Sequence, residues 1–137
     1  MSDYSNKIKS ELITRIENIQ NIKILEIGVQ KGISTNYFLD LCDKNNGELY
    51  SVDIDNCSEV SNNPRWRFIH SRDDDFDKIF SLIPNQVDVI YIDSLHEALH
   101  VEKLIYNYYS KLKVGGYIFI DDISHLLYLK NKPRDSF

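Results

Sequence analysis

The sequence predicts a doubly wound α/β domain built around a parallel sheet. Three observations lead to this fold class. Short, nearly continuous apolar segments alternate with segments of helical periodicity, several apolar segments end in an acidic residue, and the 137 residues have the length of one domain. Near-continuous apolar strands are typical of parallel sheets, because helices cover both faces. We therefore expect residues 1–137 to form a single domain.

Five apolar segments predict strands, and turn-forming residues separate them from their neighbours. The third strand, for example, follows the breaker Asn62-Asn63-Pro64. A parallel sheet requires right-handed crossovers between successive strands. The predicted strands are residues 23–28, 49–54, 65–70, 87–93 and 117–121.

The segments between the strands have apolar residues at helical spacing. Phe76, Ile79, Phe80 and Ile83 follow the i, i+3, i+4, i+7 pattern, and Pro84 ends that helix. Two glycines at 115–116 are expected to turn the chain into the fifth strand. The predicted helices are residues 4–20, 33–41, 76–83 and 101–112.

Composition narrows the classes of function. Sixteen Lys and Arg residues against 21 Asp and Glu residues give a net charge of −5, and such a surface repels a phosphate backbone. We therefore expect no nucleic-acid partner. No apolar stretch approaches the length of a membrane span, and the N-terminus lacks the pattern of a signal peptide, so no membrane partner is expected. Two cysteines in a chain that needs no disulfide indicate a cytoplasmic protein.

Acidic residues lie at or near the ends of four predicted strands: Glu26, Asp53, Asp93 and Asp121. Doubly wound sheets bind ligands beyond the carboxyl ends of their strands, where the strand order reverses. These four side chains are therefore expected to face one crevice.

The loop after the first strand does not suit a dinucleotide. The G-x-G-x-x-G pattern needs glycines where this chain has Gln30 and Ile33, so a pyrophosphate would meet side chains. Gly28 and Gly32 still allow a tight turn beside a ligand without phosphates, and Asp53 suits two ribose hydroxyls. The alternatives are an ordinary strand–helix turn and a solvated strand end.

Four segments in order resemble the motifs of class I S-adenosylmethionine-dependent methyltransferases. The first, residues 25–35 (LEIGVQKGIST), is closest to the small-molecule and sugar O-methyltransferase branch and is similar to methyltransferase domain family 24. The others are residues 49–53, 92–96 and 115–122, and the resemblance covers residues 22–125. It implies a Rossmann-like sheet in the order 3-2-1-4-5 and methylation of a hydroxyl on a small molecule or sugar.

The resemblance also implies which residues bind S-adenosylmethionine. They come from the first motif, the end of the second strand, the segment after the third strand, which lines the adenine, and the end of the fourth strand. The implied cofactor-binding residues are Glu26, Gly28, Gln30, Gly32, Ser34, Asp53, Ser71, Arg72, Asp73 and Asp93.

The predicted neighbours Asp93 and Asp121 place two carboxylates about 4.8 Å apart, the spacing of adjacent strands. Their repulsion is relieved by a divalent cation, by a proton, or by rotation into water. In catechol-type enzymes similar residues hold Mg²⁺, which implies Asp93, Asp121 and Asp122 as ligands. The same resemblance makes Asp93 and His96 the catalytic residues, with His96 at the position of the base. The alternative for His96 is a helix-start histidine without chemistry.

Two further functions stay open. Residues 96–100 (HEALH) match the H-E-x-x-H zinc motif, in which two histidines share a helix face. A third zinc ligand is expected ten residues after the first histidine, where this chain has Tyr106, so a metallopeptidase is disfavoured. The other alternative is a module that binds the cofactor without catalysis.

Residues 122–137 are too few for the helix and two strands that follow the fifth strand in the family fold. We expect either a C-terminally truncated domain or a homo-oligomer formed through the edge of the fifth strand, because an unpaired edge templates another chain.

Overall fold

The computed structural model of the protein describes residues 8–93 and 97–121, with side chains from residue 11 onward. Five parallel strands form one sheet in the order β3-β2-β1-β4-β5. The order reverses between β1 and β4, so the carboxyl ends of these strands form the switch point. The predicted fold class and strand order are confirmed.

Strands and helices alternate along the chain. The strands are β1 (Lys23–Ile27), β2 (Glu48–Asp53), β3 (Trp66–His70), β4 (Val87–Asp93) and β5 (Leu112–Asp121). The helices are a π-helical segment (Ile8–Ile13), α1 (Thr14–Ile16), α2 (Ile33–Asn45), α3 (Phe76–Phe80), α4 (Ala98–Tyr108) and a 3₁₀ turn (Tyr109–Lys111).

Each face of the sheet has its own apolar core. On one face Leu12, Ile16 and Phe38 of the helices pack against sheet residues such as Ile24 and Tyr91. On the other face α3 and α4 cover the remaining strand residues. Because both faces are covered, the central strands are apolar along almost their whole length.

Several elements differ from their predicted bounds. The fourth helix was predicted over residues 101–112, but α4 is Ala98–Tyr108 and Leu112 belongs to β5. The helix predicted over residues 33–41 continues to Asn45, and the one predicted over residues 76–83 ends at Phe80.

The first helix was predicted over residues 4–20, but it ends at Ile16, and residues 1–7 lie outside the described part. The fifth strand begins at Leu112 rather than at residue 117, with an irregular register between the pairs Val87–Leu112 and Val89–Tyr117. Gly115 and Gly116 therefore lie in an irregular stretch of β5 and not in a turn before it.

The β1–α2 connection passes very close to the end of β4. Gly28 has a φ of 104°, and a Cβ at this position would overlap the backbone carbonyl oxygen of Asp93. A glycine is therefore required for two reasons, the left-handed backbone and the approach of β4. This contact brings the loop and the end of β4 to the same point of the switch region.

We expect Gly28→Ala to lower the free energy of unfolding by about 3 kcal/mol, because it adds both backbone strain and a steric clash. Gly115→Ala is the matched control: its φ of 86° is also positive, but the added Cβ would meet no atom within 4 Å. The control should cost about 1 kcal/mol. Urea denaturation measures both, and equal losses would contradict the close approach at Gly28.

Candidate active site

A cavity of about 470 Å³ opens at the carboxyl ends of β1, β2 and β4. This is the position at which a doubly wound sheet binds its ligand, and the volume lies in the range of small-molecule sites. The cavity combines apolar walls with several carboxylates. It is lined by Ile27, Gly28, Gln30, Val52, Asp53, Ile54, Asp55, Arg72, Asp73, Asp93 and His100.

Asp53 ties the end of β2 to the loop after β1. Its Oδ2 accepts hydrogen bonds from the backbone N–H groups of Val29 (2.9 Å) and Gln30 (3.0 Å), and its Oδ1 accepts one from Asp55 (2.9 Å). Burial by itself would raise the pKa of Asp53, but these N–H donors and the Cys57 thiol outweigh it and hold the pKa below its ordinary value. Asp53 is therefore an anion whose acceptor sites are already well used.

The same loop owes its shape to two residues with left-handed backbone. Gln30 has a φ of 52° and Gly32, which precedes α2, has a φ of 86°. A Cβ on Gly32 would also overlap the Val60 side chain. Gln30 and Gly28 line the cavity. Gly32, at the end of the loop, packs against Val60 in the segment after β2 and does not line the cavity.

Glu26 is fully buried beneath this loop. Its carboxylate accepts hydrogen bonds from the hydroxyls of Ser34 (2.5 Å), Thr35 (2.7 Å) and Ser51 (2.7 Å). Desolvation by burial raises the pKa of Glu26 to about 7, although the three hydroxyl donors oppose that shift, and the charge of Asp93 raises it further. Two predicted cofactor-binding residues, Glu26 and Ser34, thus contact each other under the cavity wall.

The segment after β3 packs against α4. Asp73 accepts hydrogen bonds from His100 at 3.0 and 3.1 Å, and its backbone carbonyl accepts one from the Tyr108 hydroxyl at 2.6 Å. Of the three residues predicted to line the adenine, Arg72 and Asp73 line the cavity, whereas Ser71 is buried. These contacts tie the segment after β3 to α4 at one wall of the cavity.

His100 is the site residue that the sequence analysis assigned to another motif. Its only signal was the H-E-x-x-H match, but α4 begins at Ala98, so the segment before it is not helical at Glu97, and His96 lies outside the described residues. His100 contacts the Asp73 carboxylate through Nε2 at 3.0 Å. The described geometry therefore gives no support to a zinc peptidase.

Asp73, Asp74 and His100 lie close enough together for a metal ion to touch all three. However, Arg72 donates two hydrogen bonds to Asp74 (2.9 and 3.0 Å), and Lys103 approaches the same carboxylate at 3.3 Å. The hydrogen bond from Arg72 holds the pKa of Asp74 well below its usual range. Two cations already neutralise this cluster, which leaves little attraction for a third.

The tips of β4 and β5 bring two predicted residues together. Asp93 and Asp121 are direct partners in the parallel register, and Oδ2 of Asp121 accepts a hydrogen bond from the Tyr91 hydroxyl at 3.0 Å. Asp93 lines the large cavity. Asp122 and His96, predicted as a metal ligand and as the base, lie outside the described residues.

Comparisons with known proteins agree with this architecture. The sequence profile of a methyltransferase domain matches residues 25–123. A provisionally assigned caffeoyl-CoA O-methyltransferase from Staphylococcus aureus superposes with a TM-score of 0.65 at 21% identity, covering 88% of this chain and 58% of that one. No curated protein matches the sequence.

Two other solved structures share the fold. A provisionally assigned O-methyltransferase from Nostoc punctiforme has a TM-score of 0.57 at 18% identity and is covered over 32% of its length by 75% of this chain. Coclaurine N-methyltransferase bound to N-methylheliamine and S-adenosylhomocysteine has a TM-score of 0.60 at 16% identity, with 85% of this chain covering 35% of it. This chain thus spans between about a third and three fifths of these neighbours.

Within residues 8–93 and 97–121, no helix combines the length and the apolar character needed to cross a membrane.

Glu26 generates a prediction about pH. Its pKa is raised from 4.5 to about 7 by folding, so the native state holds the proton more tightly. The resulting stabilisation is complete below pH 4.5 and is lost as the pH rises through 7. Relative to Glu26→Gln, the wild type should lose up to about 3 kcal/mol of unfolding free energy between pH 4.5 and pH 8.

Urea denaturation of both proteins across this pH range measures the difference. Asp53, Glu48 and Asp74 have lowered pKa values, so their effects appear at more acidic pH and cancel in the comparison. Parallel curves for the two proteins would show that Glu26 does not titrate in this range.

Proposed function

The chain belongs to the methyltransferase domain family, and from this premise we propose that it transfers a methyl group from S-adenosylmethionine to a hydroxyl of a small molecule or sugar. The cavity at the switch point, with Asp53 at its wall, is the observation that carries the proposal. A small acceptor also suits the charge of −5, which is unfavourable for binding nucleic acid.

The residues present fit this cofactor. Asp53 and Asp55, which both line the cavity, supply acceptors for ribose hydroxyls. Because Asp53 already accepts three backbone N–H groups and the Cys57 thiol, we infer that a ribose hydroxyl replaces the thiol, the weakest of these donors. Asp55 is exposed and would take the second hydroxyl.

Other walls suit the remaining parts of the cofactor. Ile27, Val52 and Ile54 offer apolar surface, and the loop Gly28–Gln30 brings backbone close to the cavity. Glu26 and Ser34 would act from below as positioning residues that hold this loop and the start of α2. Gly32 would act in the same way through its contact with Val60.

When bound, the cofactor supplies a methyl group already activated by a positively charged sulfur, whose carbon–sulfur bond breaks as the new bond to oxygen forms. The protein then has to align the acceptor and remove its hydroxyl proton. We propose His96 as the group that accepts this proton and Asp93 as the carboxylate that orients the reacting centre.

The described residues give less support to a Mg²⁺ site than to the cofactor site. Among the described residues, the tips of β4 and β5 supply two of the three carboxylates that would bind Mg²⁺, Asp93 and Asp121. The carboxylate of Asp121 already accepts a hydrogen bond from the Tyr91 hydroxyl. The third, Asp122, lies outside the described part. If Mg²⁺ is used, Asp93, Asp121 and Asp122 would hold it.

A module that binds the cofactor without catalysis is the second candidate. Cofactor binding without methyl transfer to any hydroxyl acceptor would favour this candidate.

Isothermal titration calorimetry with S-adenosylhomocysteine tests cofactor binding. Asp53→Ala should weaken binding by about 1.5–3 kcal/mol, roughly 10- to 150-fold, because a ribose hydroxyl loses its acceptor and the loop loses its tie to β2. Asp55→Ala should have a smaller effect, and Asp40→Ala, exposed on α2, should have none. No heat at millimolar ligand on folded protein would refute the proposed function.

The His96→Ala variant tests the base. Removal of the imidazole should lower kcat at least tenfold with little change in the affinity for S-adenosylhomocysteine, since the proton acceptor is lost and the cofactor site is kept. The variant should also lose the rise in rate near neutral pH. A decrease of less than threefold would exclude His96 from this role.

We also propose that the chain self-associates through β5. In the described sheet β5 pairs with β4 along one side, and it exposes Val114 and Tyr117. Light scattering during size-exclusion chromatography should show a dimer, and Tyr117→Lys should shift it to monomer because a charge on an edge strand opposes pairing. A wild-type monomer of 16.1 kDa at high concentration would contradict the proposal.

A further inference from the structure

Glu26 is a buried carboxylate whose described hydrogen-bond donors are all neutral. It has no solvent exposure, and the groups that donate to it are hydroxyls of α2 and β2. The charge that acts on it is that of Asp93, another carboxylate. Hydroxyl donors satisfy lone pairs but do not neutralise the charge, so a buried carboxylate held in this way gains strongly from a cation placed nearby.

The strand order determines which part of the cofactor lies above β1. In the proposed binding mode the adenine lies against the segment after β3 and the ribose lies at the end of β2, and β1 is the next strand of the sheet. A methylene group separates the ribose ring from the sulfur of this cofactor, and adjacent strands are about 4.8 Å apart. The sulfur therefore faces the start of the β1–α2 loop, where Gly28 lines the cavity.

Glu26 lies directly below this point of the loop. It precedes Gly28 by two residues, which corresponds to about 7 Å along an extended strand. At that distance, with an effective dielectric near 20, the attraction between a full positive charge and the carboxylate is equivalent to roughly 50-fold in affinity at most. S-adenosylmethionine carries this charge on its sulfonium, whereas S-adenosylhomocysteine has a neutral thioether. The two ligands therefore differ in their attraction to Glu26.

We propose that Glu26 determines how strongly the site discriminates between S-adenosylmethionine and S-adenosylhomocysteine, and that it does so by releasing a proton. This inference rests on the proposed methyl transfer. When Glu26 is protonated, binding of the sulfonium form expels its proton to solvent and leaves a carboxylate, so one positive charge enters the site as another leaves it. Binding of the thioether form leaves the proton in place. The product is therefore retained less well, relative to the methyl donor, as the pH rises.

The pKa of Glu26 sets the pH range of this effect. Burial raises that pKa to about 7 in the free protein, and a neighbouring sulfonium lowers it. Affinity for S-adenosylmethionine should therefore increase as the pH rises through 7 and level off once Glu26 is ionised in the free protein. The amino-acid part is common to both ligands, so its own titration cancels when their affinities are compared.

The strands beside β1 bring three further ionisable groups near Glu26. Asp53, at the end of β2, has a lowered pKa and stays ionised at neutral pH. Tyr91, the partner of Glu26 on β4, donates its hydroxyl to Asp121. Asp93 lines the cavity at the end of β4. Asp93 is therefore the group whose contribution a variant has to separate from that of Glu26.

Isothermal titration calorimetry of the full chain measures proton release directly. Each ligand is titrated at pH 7 in PIPES and in ACES, two buffers with different enthalpies of ionisation. About half of the molecules hold the proton on Glu26 at this pH, so S-adenosylmethionine should release up to about half a proton more than S-adenosylhomocysteine. The ratio of the two affinities should also shift at least fivefold in favour of S-adenosylmethionine between pH 5.5 and pH 8.5.

Glu26→Gln removes the exchangeable proton, so the difference in proton release should vanish and the affinity ratio should become independent of pH. Glu48→Gln removes a glutamate from the amino end of β2 and is the matched control, which should behave like the wild type. Thr35→Val removes one of the hydroxyl donors that lower the pKa of Glu26. It should move the midpoint of the affinity ratio to higher pH by about half a unit or more. A purely structural role of Glu26 would not move this midpoint, and the variant keeps the test decisive if Glu26→Gln does not fold.

The outcomes separate proton release from the proposed function. Failure of both ligands to bind would refute the proposed function itself. Equal proton release by the two ligands would overturn the role of Glu26 alone, and so would an unchanged midpoint in Thr35→Val. A pH-dependent ratio that persists in Glu26→Gln but disappears in Asp93→Asn would assign the proton to Asp93 and overturn the role of Glu26 as well.

Discussion

The candidate site depends on one buried carboxylate. Glu26 has no access to solvent and accepts three hydroxyl hydrogen bonds, from Ser34 and Thr35 in the first turn of α2 and from Ser51 on β2. Three separate elements thus converge on one group, and the indole N–H of Trp66 extends the network by donating to Ser51 at 2.9 Å. Burying a carboxylate is costly unless its lone pairs are used, so this arrangement tolerates little displacement of β1, β2 or α2.

A second carboxylate, that of Asp53, fixes the other side of the loop between β1 and α2. Asp53 accepts the N–H groups of Val29 and Gln30 while Glu26 holds the start of α2 from below, so the loop between Gly28 and Gly32 is fixed at both surfaces. A site held in this way is shaped before its ligand arrives, which lowers the conformational entropy that binding must overcome. The shape also explains the missing dinucleotide glycine, because Gln30 adopts the left-handed backbone that a glycine would otherwise supply.

Strand periodicity and acidic strand ends are local signals, so they predicted the alternating strands and helices and the end of the sheet at which the cavity lies. The strand order is not a local property, and its prediction came from the resemblance to the methyltransferase family. The sequence did not predict the role of Glu26 as a buried support, since a motif shows which residues are present but not which way each points along a strand. It also missed His100, whose partner Asp73 is 27 residues away and meets it through packing of α4 on the β3 loop. The start of β5 was misplaced for a related reason: Gly115 and Gly116 favour a turn locally, but pairing with β4 keeps the chain extended through an irregular register.

The two faces of the sheet differ in where their polar side chains make contacts. Residues that alternate along β1, β2 and β4 place Glu26, Ser51 and Tyr91 on the face covered by α2. On the same face the Tyr91 hydroxyl donates a separate hydrogen bond to Asp121. The opposite face is covered by an apolar core under α3 and α4. Its polar contacts, such as those of Glu48 with Tyr50 and Lys23, lie near the amino ends of β1 and β2. Polar chemistry on one face can reach the strand tips only where that face meets the switch point. The large cavity opens there, with Asp93 at its wall, and Asp121 is the partner of Asp93 in the parallel register. Because neighbouring parallel strands end side by side, the tips of β4 and β5 place a second carboxylate, that of Asp121, next to this wall.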